Sequence, residues 1–127
     1  MTRRMEEFRR ERERLNELVL RRANLEIKRF FSLDSQTYRH GALPARTKEM
    51  LGLVASLVLR CDDCVAYHLD RCHEEGVTDS ELQEVLAVGL VVGGSITIPH
   101  LRRAVEAWEQ LRSAEGAGGR EAGEEDR

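Results

Sequence analysis

The chain is poor in the features that mark several protein classes. Aromatic residues make up 5% of its 127 positions, and it holds two prolines. That composition disfavours a β-sandwich, whose strands draw on aromatic residues and whose turns draw on proline. Cysteine is scarce at three residues, too few to suggest a disulfide framework. Neither sign of charge dominates. The 20 Lys and Arg are intermixed with 23 Asp and Glu for a net charge of -3, so a nucleic-acid partner has little support. The longest largely apolar run, Leu51 to Leu59, is about half what a membrane-spanning helix needs. The opening MTRRMEEFRRERERLNELVL lacks the apolar region of a secretory signal. These absences lead to the expectation of a cytoplasmic protein with no membrane partner.

What is present is helical. Hydrophobic residues reach 41% and charged residues 34%, the proportions of a globular domain large enough to bury a modest core. Residues 3–31 read as one long helix, dense in charge, with Phe8, Leu15, Leu18, Val19, Leu25 and Phe30 as an incomplete apolar stripe. Arg12 and Arg22 interrupt that seam, which favours a solvated helix laid against the body or a neighbouring subunit over a long coiled coil. Residues 32–43 read as a connection with one short helical turn. Pro44 suits a first helical position. The helix it opens, over 44–59, is apolar around nearly its whole surface and is expected to be central and buried.

A helix over 62–75 begins with Asp62 and Asp63, which suit the positive end of the helix dipole, and stops at Gly76. Thr78 and Glu81 form a capping-box pattern for a helix over 79–92, ended by Gly93-Gly94. The last helix is expected over 98–111, with Ala104, Val105, Trp108 and Leu111 as its apolar face. From Ser113 onward the chain is rich in Gly and Glu without apolar period, and disorder is expected. The fold class is all-α.

One segment carries concentrated chemistry. Cys61, Cys64 and His68 form a C-x-x-C-x-x-x-H run whose spacing puts all three side chains on one helix face. The thiolate is the nucleophilic form of cysteine. His68, one turn from Cys64, is placed to take the thiol proton or to stabilise the thiolate as an ion pair. Cys61 sits at the helix start, where free N–H groups also favour a thiolate. In one order of events Cys64 attacks an oxidant and Cys61 then closes the disulfide. The reverse order stays open, although the histidine beside Cys64 favours the first.

Metal binding is a weaker reading. Cys61 and Cys72 on one continuous helix are separated by about 16 Å of rise, too far to share an ion, although Cys61, Cys64 and His68 with Glu49 as a fourth ligand stay conceivable. A purely structural reading makes the cysteines small buried hydrophobes, and for Cys72 that reading is the better one. His40 and His73 read as surface residues, and Trp108 and Tyr67 as packing or interface groups. His100, in the first turn of the last helix, either lines the same pocket as His68 or is simply a polar residue at a helix start.

The stretch GALPARTKEMLGLVASLVLRCDDCVAYHLDRCHEEGVTDSELQEVL resembles the core of the carboxymuconolactone decarboxylase family, and within it the alkyl hydroperoxidase D-like branch. That branch places a Glu twelve residues before C-x-x-C and a His four residues after the second Cys. Glu49, Cys61, Cys64 and His68 match all four positions. The later GGSITIPHLRRAVEAWEQL is similar to the family's closing helix, so the resemblance covers roughly residues 41–112.

The resemblance implies an alkyl hydroperoxidase D-like helical bundle with the family unit present once. It would form a homotrimer or homohexamer. It implies thiol-dependent peroxidase or disulfide-reductase chemistry without metal or other cofactor. The substrate would be a small hydroperoxide or disulfide, and the electron donor a thiol such as a lipoyl group or a thioredoxin-like protein. It also implies a proton relay in which Glu49 acts on His68 and His68 on Cys64. One departure stands out: Asp63 occupies the position of a histidine in alkyl hydroperoxidase D, and a carboxylate there disfavours the thiolate.

The expected organisation is an N-terminal charged helix over 1–31, a family-like helical domain over 32–112 and a disordered tail over 113–127. The alternatives are a lyase using His68 and Glu49 as an acid–base pair, and a non-enzymatic helical oligomer whose dithiol senses redox state.

Overall fold

A computed structural model describes residues 2–117. Among these residues the chain is all-α, as expected, with six α-helices and no strand: α1 (Thr2–Arg22), α2 (Leu25–Thr37), α3 (Ala45–Leu59), α4 (Asp62–Glu74), α5 (Asp79–Gly93) and α6 (Ile98–Ala117). One 3-10 turn, Ser95–Thr97, joins α5 to α6. No helix among the described residues is long and apolar enough to cross a membrane.

The bundle is centred on α3, which packs against both α4 and α5. Leu53 and Leu57 of α3, Val65, Leu69 and Cys72 of α4, and Leu82 and Leu86 of α5 form the interior. Ala104, Trp108 and Leu111 of α6 close it from the other side. Each large aliphatic side chain buried there contributes roughly 1.5–3 kcal/mol. Helices α3 and α5 meet closely at Gly89, where an added Cβ would fall 2.7 Å from Leu57 Cδ2. The Thr78–Glu81 capping box forms in both directions and fixes the start of α5.

Several expectations about the helices need correction. The single helix expected over 3–31 is two. Asn24 adopts extended backbone and its side chain accepts from Ile27 N–H at 3.0 Å, so it caps a second helix instead of continuing the first. That second helix then runs to Thr37, through residues expected to form a connection. Its polar residues bond within the helix, Thr37 Oγ1 donating to Leu33 O and Gln36 Nε2 to Ser32 Oγ. Lys48 Nζ caps the far end by donating to the Thr37 and Arg39 carbonyls.

Helix α3 is not buried all round. Its inner face holds Glu49, Leu53, Ser56 and Leu57, while Leu51 and Leu59 are exposed. Likewise Val105 of α6 faces outward beside the buried Ala104. The last helix continues past Leu111 to Ala117 because Glu115 is anchored on His73 and Arg112. The remainder of the expected disordered tail, 118–127, lies outside the described residues.

Helix α1 is attached along α6 and α4. Met5 enters the core, and its backbone N–H donates to the buried Gln110 side chain at 3.1 Å. Arg9 forms a two-point ion pair with Asp70, at 2.7 and 2.6 Å. A bidentate guanidinium–carboxylate pair of this kind also fixes orientation.

Candidate functional site

The corner between α3 and α4 is very short. Arg60 ends α3 in the left-handed region (φ 61°), and its N–H donates to Leu57 O. Cys61 follows at once as the N-cap of α4. Its N–H donates to Ser56 O at 3.1 Å, and its Sγ accepts from Cys64 N–H at 3.2 Å. Cys61 and Cys64 are joined as a disulfide. The first turn of α4 therefore carries this pair at a short corner, beside the positive end of the helix.

Glu49 and His68 meet across the α3–α4 interface. Glu49 is 1% exposed and His68 8%. Glu49 Oε1 lies 2.9 Å from His68 Nδ1, and Glu49 Oε2 lies 3.5 Å from Arg71 Nε. A buried carboxylate needs such partners to remain charged. The imidazole fits because α3 has Gly52 at the contact. A Cβ there would lie 2.7 Å from His68 Cε1, 2.8 Å from Nε2 and 2.9 Å from the Tyr38 hydroxyl.

Two aromatic rings flank the histidine. Tyr38 and Tyr67 stand with ring centroids 5.3 and 5.1 Å from it. Burial first, and then the Glu49 charge, push both phenols above their ordinary range. Tyr67 in turn lies beneath the Arg12 guanidinium, 3.9 Å from the ring centroid.

A cavity of about 630 Å³ opens in front of this group. Cys64, Tyr67, His68 and Asp63 of α4 form one wall. Phe8, Arg12, Leu15 and other residues of α1 form the facing wall, and Asp34 of α2 lies at its edge. The structure thus brings three of the four residues singled out from sequence into one connected arrangement, Glu49–His68 beside Cys64. It joins Cys61 to Cys64 while leaving Cys61 outside the cavity lining. Asp63 does stand beside Cys64, where a carboxylate disfavours a neighbouring thiolate.

The remaining candidates separate from this site. His100 does not line the cavity; its Nδ1 lies 2.7 Å from Asp62 Oδ1, and Arg103 reaches the other oxygen of Asp62 at 3.1 Å. Cys72 is fully buried, and burial pushes its thiol up to about 12. The core-filling reading of Cys72 fits that position. His40 is exposed, as expected. His73 is not an ordinary surface residue: it sits edge-on to Trp108, with Nε2 3.1 Å from Glu115. Trp108 is a core residue whose indole N–H donates to Asp79 at 2.8 Å. Among the described residues no group of three or more His, Cys, Asp or Glu is arranged to hold a metal ion.

Sequence reasoning missed Gly52, Tyr38 and Arg71, and it read Tyr67 as a packing or interface group. Only Arg71 left a signal, its position three residues after His68 on the same helix face.

An all-α bundle with a disulfide at the start of one helix and a buried Glu–His pair behind it defines a recognisable class. The model of the carboxymuconolactone decarboxylase family matches residues 27–107, and the chain belongs to that family. A crystal structure of a Thermotoga maritima protein is 58% identical and superposes with a TM-score of 0.86, covering 87% of this chain and 97% of that one. A second crystal structure from that organism, also 58% identical with a TM-score of 0.85, covers 88% of this chain and 95% of its own. It bears the family name and offers the antioxidative response as a candidate role.

A family member from Legionella pneumophila, 21% identical with a TM-score of 0.78 over 85% of this chain and 96% of its own, shares the fold. An uncharacterised Cupriavidus necator protein is 30% identical over 73 residues, 58% of this chain. The match spans 65% of that relative's length.

Proposed function

We propose that this protein is a thiol-dependent peroxidase or disulfide reductase of the alkyl hydroperoxidase D-like kind, cycling Cys61 and Cys64 between dithiol and disulfide. One observation carries the reading: Cys64 and His68 line the same cavity, and the buried Glu49 holds the imidazole from behind. The antioxidative role offered for the Thermotoga maritima relative points the same way.

In the reduced protein His68 accepts the Cys64 proton. The thiolate attacks the terminal oxygen of a hydroperoxide, the O–O bond breaks, and the departing alkoxide takes the proton back from His68. Cys64 is left as a sulfenic acid. The Cys61 thiolate attacks that sulfur and expels hydroxide, which leaves as water, and the disulfide closes. A donor dithiol, lipoyl or thioredoxin-like, then reduces the pair by two exchange steps and leaves as its own disulfide. Glu49 stabilises the imidazolium whenever it forms. No metal or cofactor takes part. Cys61, outside the cavity lining, suits the resolving role.

The reading includes assembly into a homotrimer or homohexamer. Met50, Leu51, Val54, Val58, Leu59, Val88 and Val92 line an apolar groove of about 810 Å³ between α3 and α5. Exposed apolar surface of this kind supports a contact between subunits. Sedimentation of the wild type against Val88→Glu tests it; a monomeric wild type would remove this part.

The decisive experiment measures hydroperoxide consumption and free thiols in reduced wild type and Cys64→Ser, with a dithiol donor supplied. Wild type is expected to lose two thiols per chain and to turn over. The variant is expected to fall by roughly 10²-fold or more. Equal rates in both proteins would overturn the proposal. Disulfide formation with altered assembly but no turnover would favour a redox sensor instead.

A further inference from the structure

The proposed cycle uses one oxygen of Glu49; the other has a partner of its own. Oε1 faces His68 Nδ1 at 2.9 Å, and Oε2 faces Arg71 Nε at 3.5 Å. Arg71 stands three residues after His68 on α4, so both side chains reach across to the same carboxylate on α3. The guanidinium is itself flanked by Glu74 and by Glu75, whose Oε2 lies 3.2 Å from Nη2. Charges of alternating sign thus run from the helix surface inward to the imidazole.

The other groups around this pair are otherwise occupied. Tyr38, just past the end of α2, and Tyr67 from α4 flank the ring, and their raised phenols stay neutral. Arg46 of α3 is paired with Glu81 of α5, and Arg12 of α1 lies on Tyr67. Among the described residues, Arg71 is the permanent cation paired with Glu49.

A guanidinium does not release its proton, so its charge on Oε2 is fixed. Beside it Glu49 is a carboxylate and can only accept. The hydrogen between Glu49 and His68 then belongs to Nδ1, and Nε2 keeps its lone pair. Without the cation, Glu49 Oε2 loses its charged partner, and nothing then confines the carboxyl to accepting from His68 Nδ1. The imidazole would then accept at Nδ1, carry its hydrogen on Nε2, and lose the nitrogen that acts as base.

We propose that Arg71 is a positioning residue of this site: paired with the second oxygen of Glu49, it fixes His68 in the tautomer whose Nε2 can accept the Cys64 proton. The consequence for turnover rests on the dithiol reading above; the consequence for the tautomer does not.

The test reads imidazole ¹⁵N shifts of the disulfide form at about pH 8, above the ordinary histidine range. The His68 signal is identified by its loss in His68→Gln. Wild type is expected to show the Nδ1–H tautomer, Arg71→Met to shift to Nε2–H, and Arg71→Lys to restore the wild-type pattern. In the reduced protein, alkylation of Cys64 by iodoacetamide is expected to slow about tenfold in Arg71→Met and to recover in Arg71→Lys. Should Arg71→Met fail to fold, Arg71→Gln gives the same neutral comparison.

An unchanged tautomer in a folded Arg71→Met or Arg71→Gln protein overturns the proposal and leaves Arg71 a surface ion-pair residue. A shifted tautomer in a protein that consumes no hydroperoxide upholds it and removes the peroxidase reading instead.

Discussion

Helix α4 carries two cysteine environments about two turns apart. Cys64, at its start, is exposed to a cavity, accompanied by a histidine and a disulfide partner. Cys72, in its second half, is fully enclosed, and its thiol is pushed up to about 12 by burial and then by the Glu49 charge. The same Glu49 charge raises the Cys72 thiol, whereas in the proposed cycle it acts on Cys64 only through His68. What separates a cavity-lining cysteine from a packing one here is its place along one helix, together with the helix that packs against it.

The sharpest way to break that contrast is Gly52→Ala. The new Cβ would overlap His68 and the Tyr38 hydroxyl, so the imidazole must leave its place. Alkylation of Cys64 is expected to slow by about tenfold or more, and stability to fall by roughly 1–3 kcal/mol. Alkylation kinetics beside a thermal melt measure both; an unaltered rate would mean the histidine does not serve Cys64.

The other end of the helix responds to pH. Folding raises the Cys72 thiol from an ordinary 9.0 to about 12, so the unfolded chain releases its proton first as pH rises. The stability this thiol contributes is complete below the ordinary value and is lost as pH climbs towards 12. Wild type is therefore expected to lose roughly 2–4 kcal/mol over that range that Cys72→Ala does not lose. Parallel alkaline denaturation curves in the two proteins would contradict it. The same variant should leave Cys64 alkylation untouched.

A smaller effect belongs to Asp63, which shares the cavity wall with Cys64. Asp63→Asn is expected to speed alkylation about threefold at low salt, an advantage that shrinks as salt screens the carboxylate. The smallest concerns the corner itself. Arg60→Gly relieves a left-handed φ of 61° and is expected to stabilise the fold by only about 0.5 kcal/mol in urea denaturation, because the freedom gained by the unfolded chain offsets part of the relief.

The bundle was legible where local signals agreed. The Thr78–Glu81 cap and the acidic start of α4 sit where the pattern put them. Helix α3 was misread because its apolar residues exceed what one buried face can hold, and periodicity does not say that the excess faces outward. The break at Asn24 was missed because a continuous charge pattern outweighed a single capping residue. In the site, the motif gave Glu49, Cys61, Cys64 and His68, all close in sequence along two helices. Gly52 and Tyr38 could not be found that way. They contact the imidazole 16 and 30 residues further along the chain, and the motif that located Glu49 at a similar range includes neither of them.

One wall of the cavity lies outside the stretch that defines the family match. Helix α1 lies before the stretch 27–107 that the family model matches, yet it supplies the side chains facing Cys64 and His68. Under the proposed reading, admission and chemistry are written in different parts of the chain. Substitutions among residues 7–16 alter the shape and charge met by an incoming molecule while leaving the motif intact. Two relatives with the same four motif residues need not accept the same molecule, and the motif alone does not identify what either one consumes.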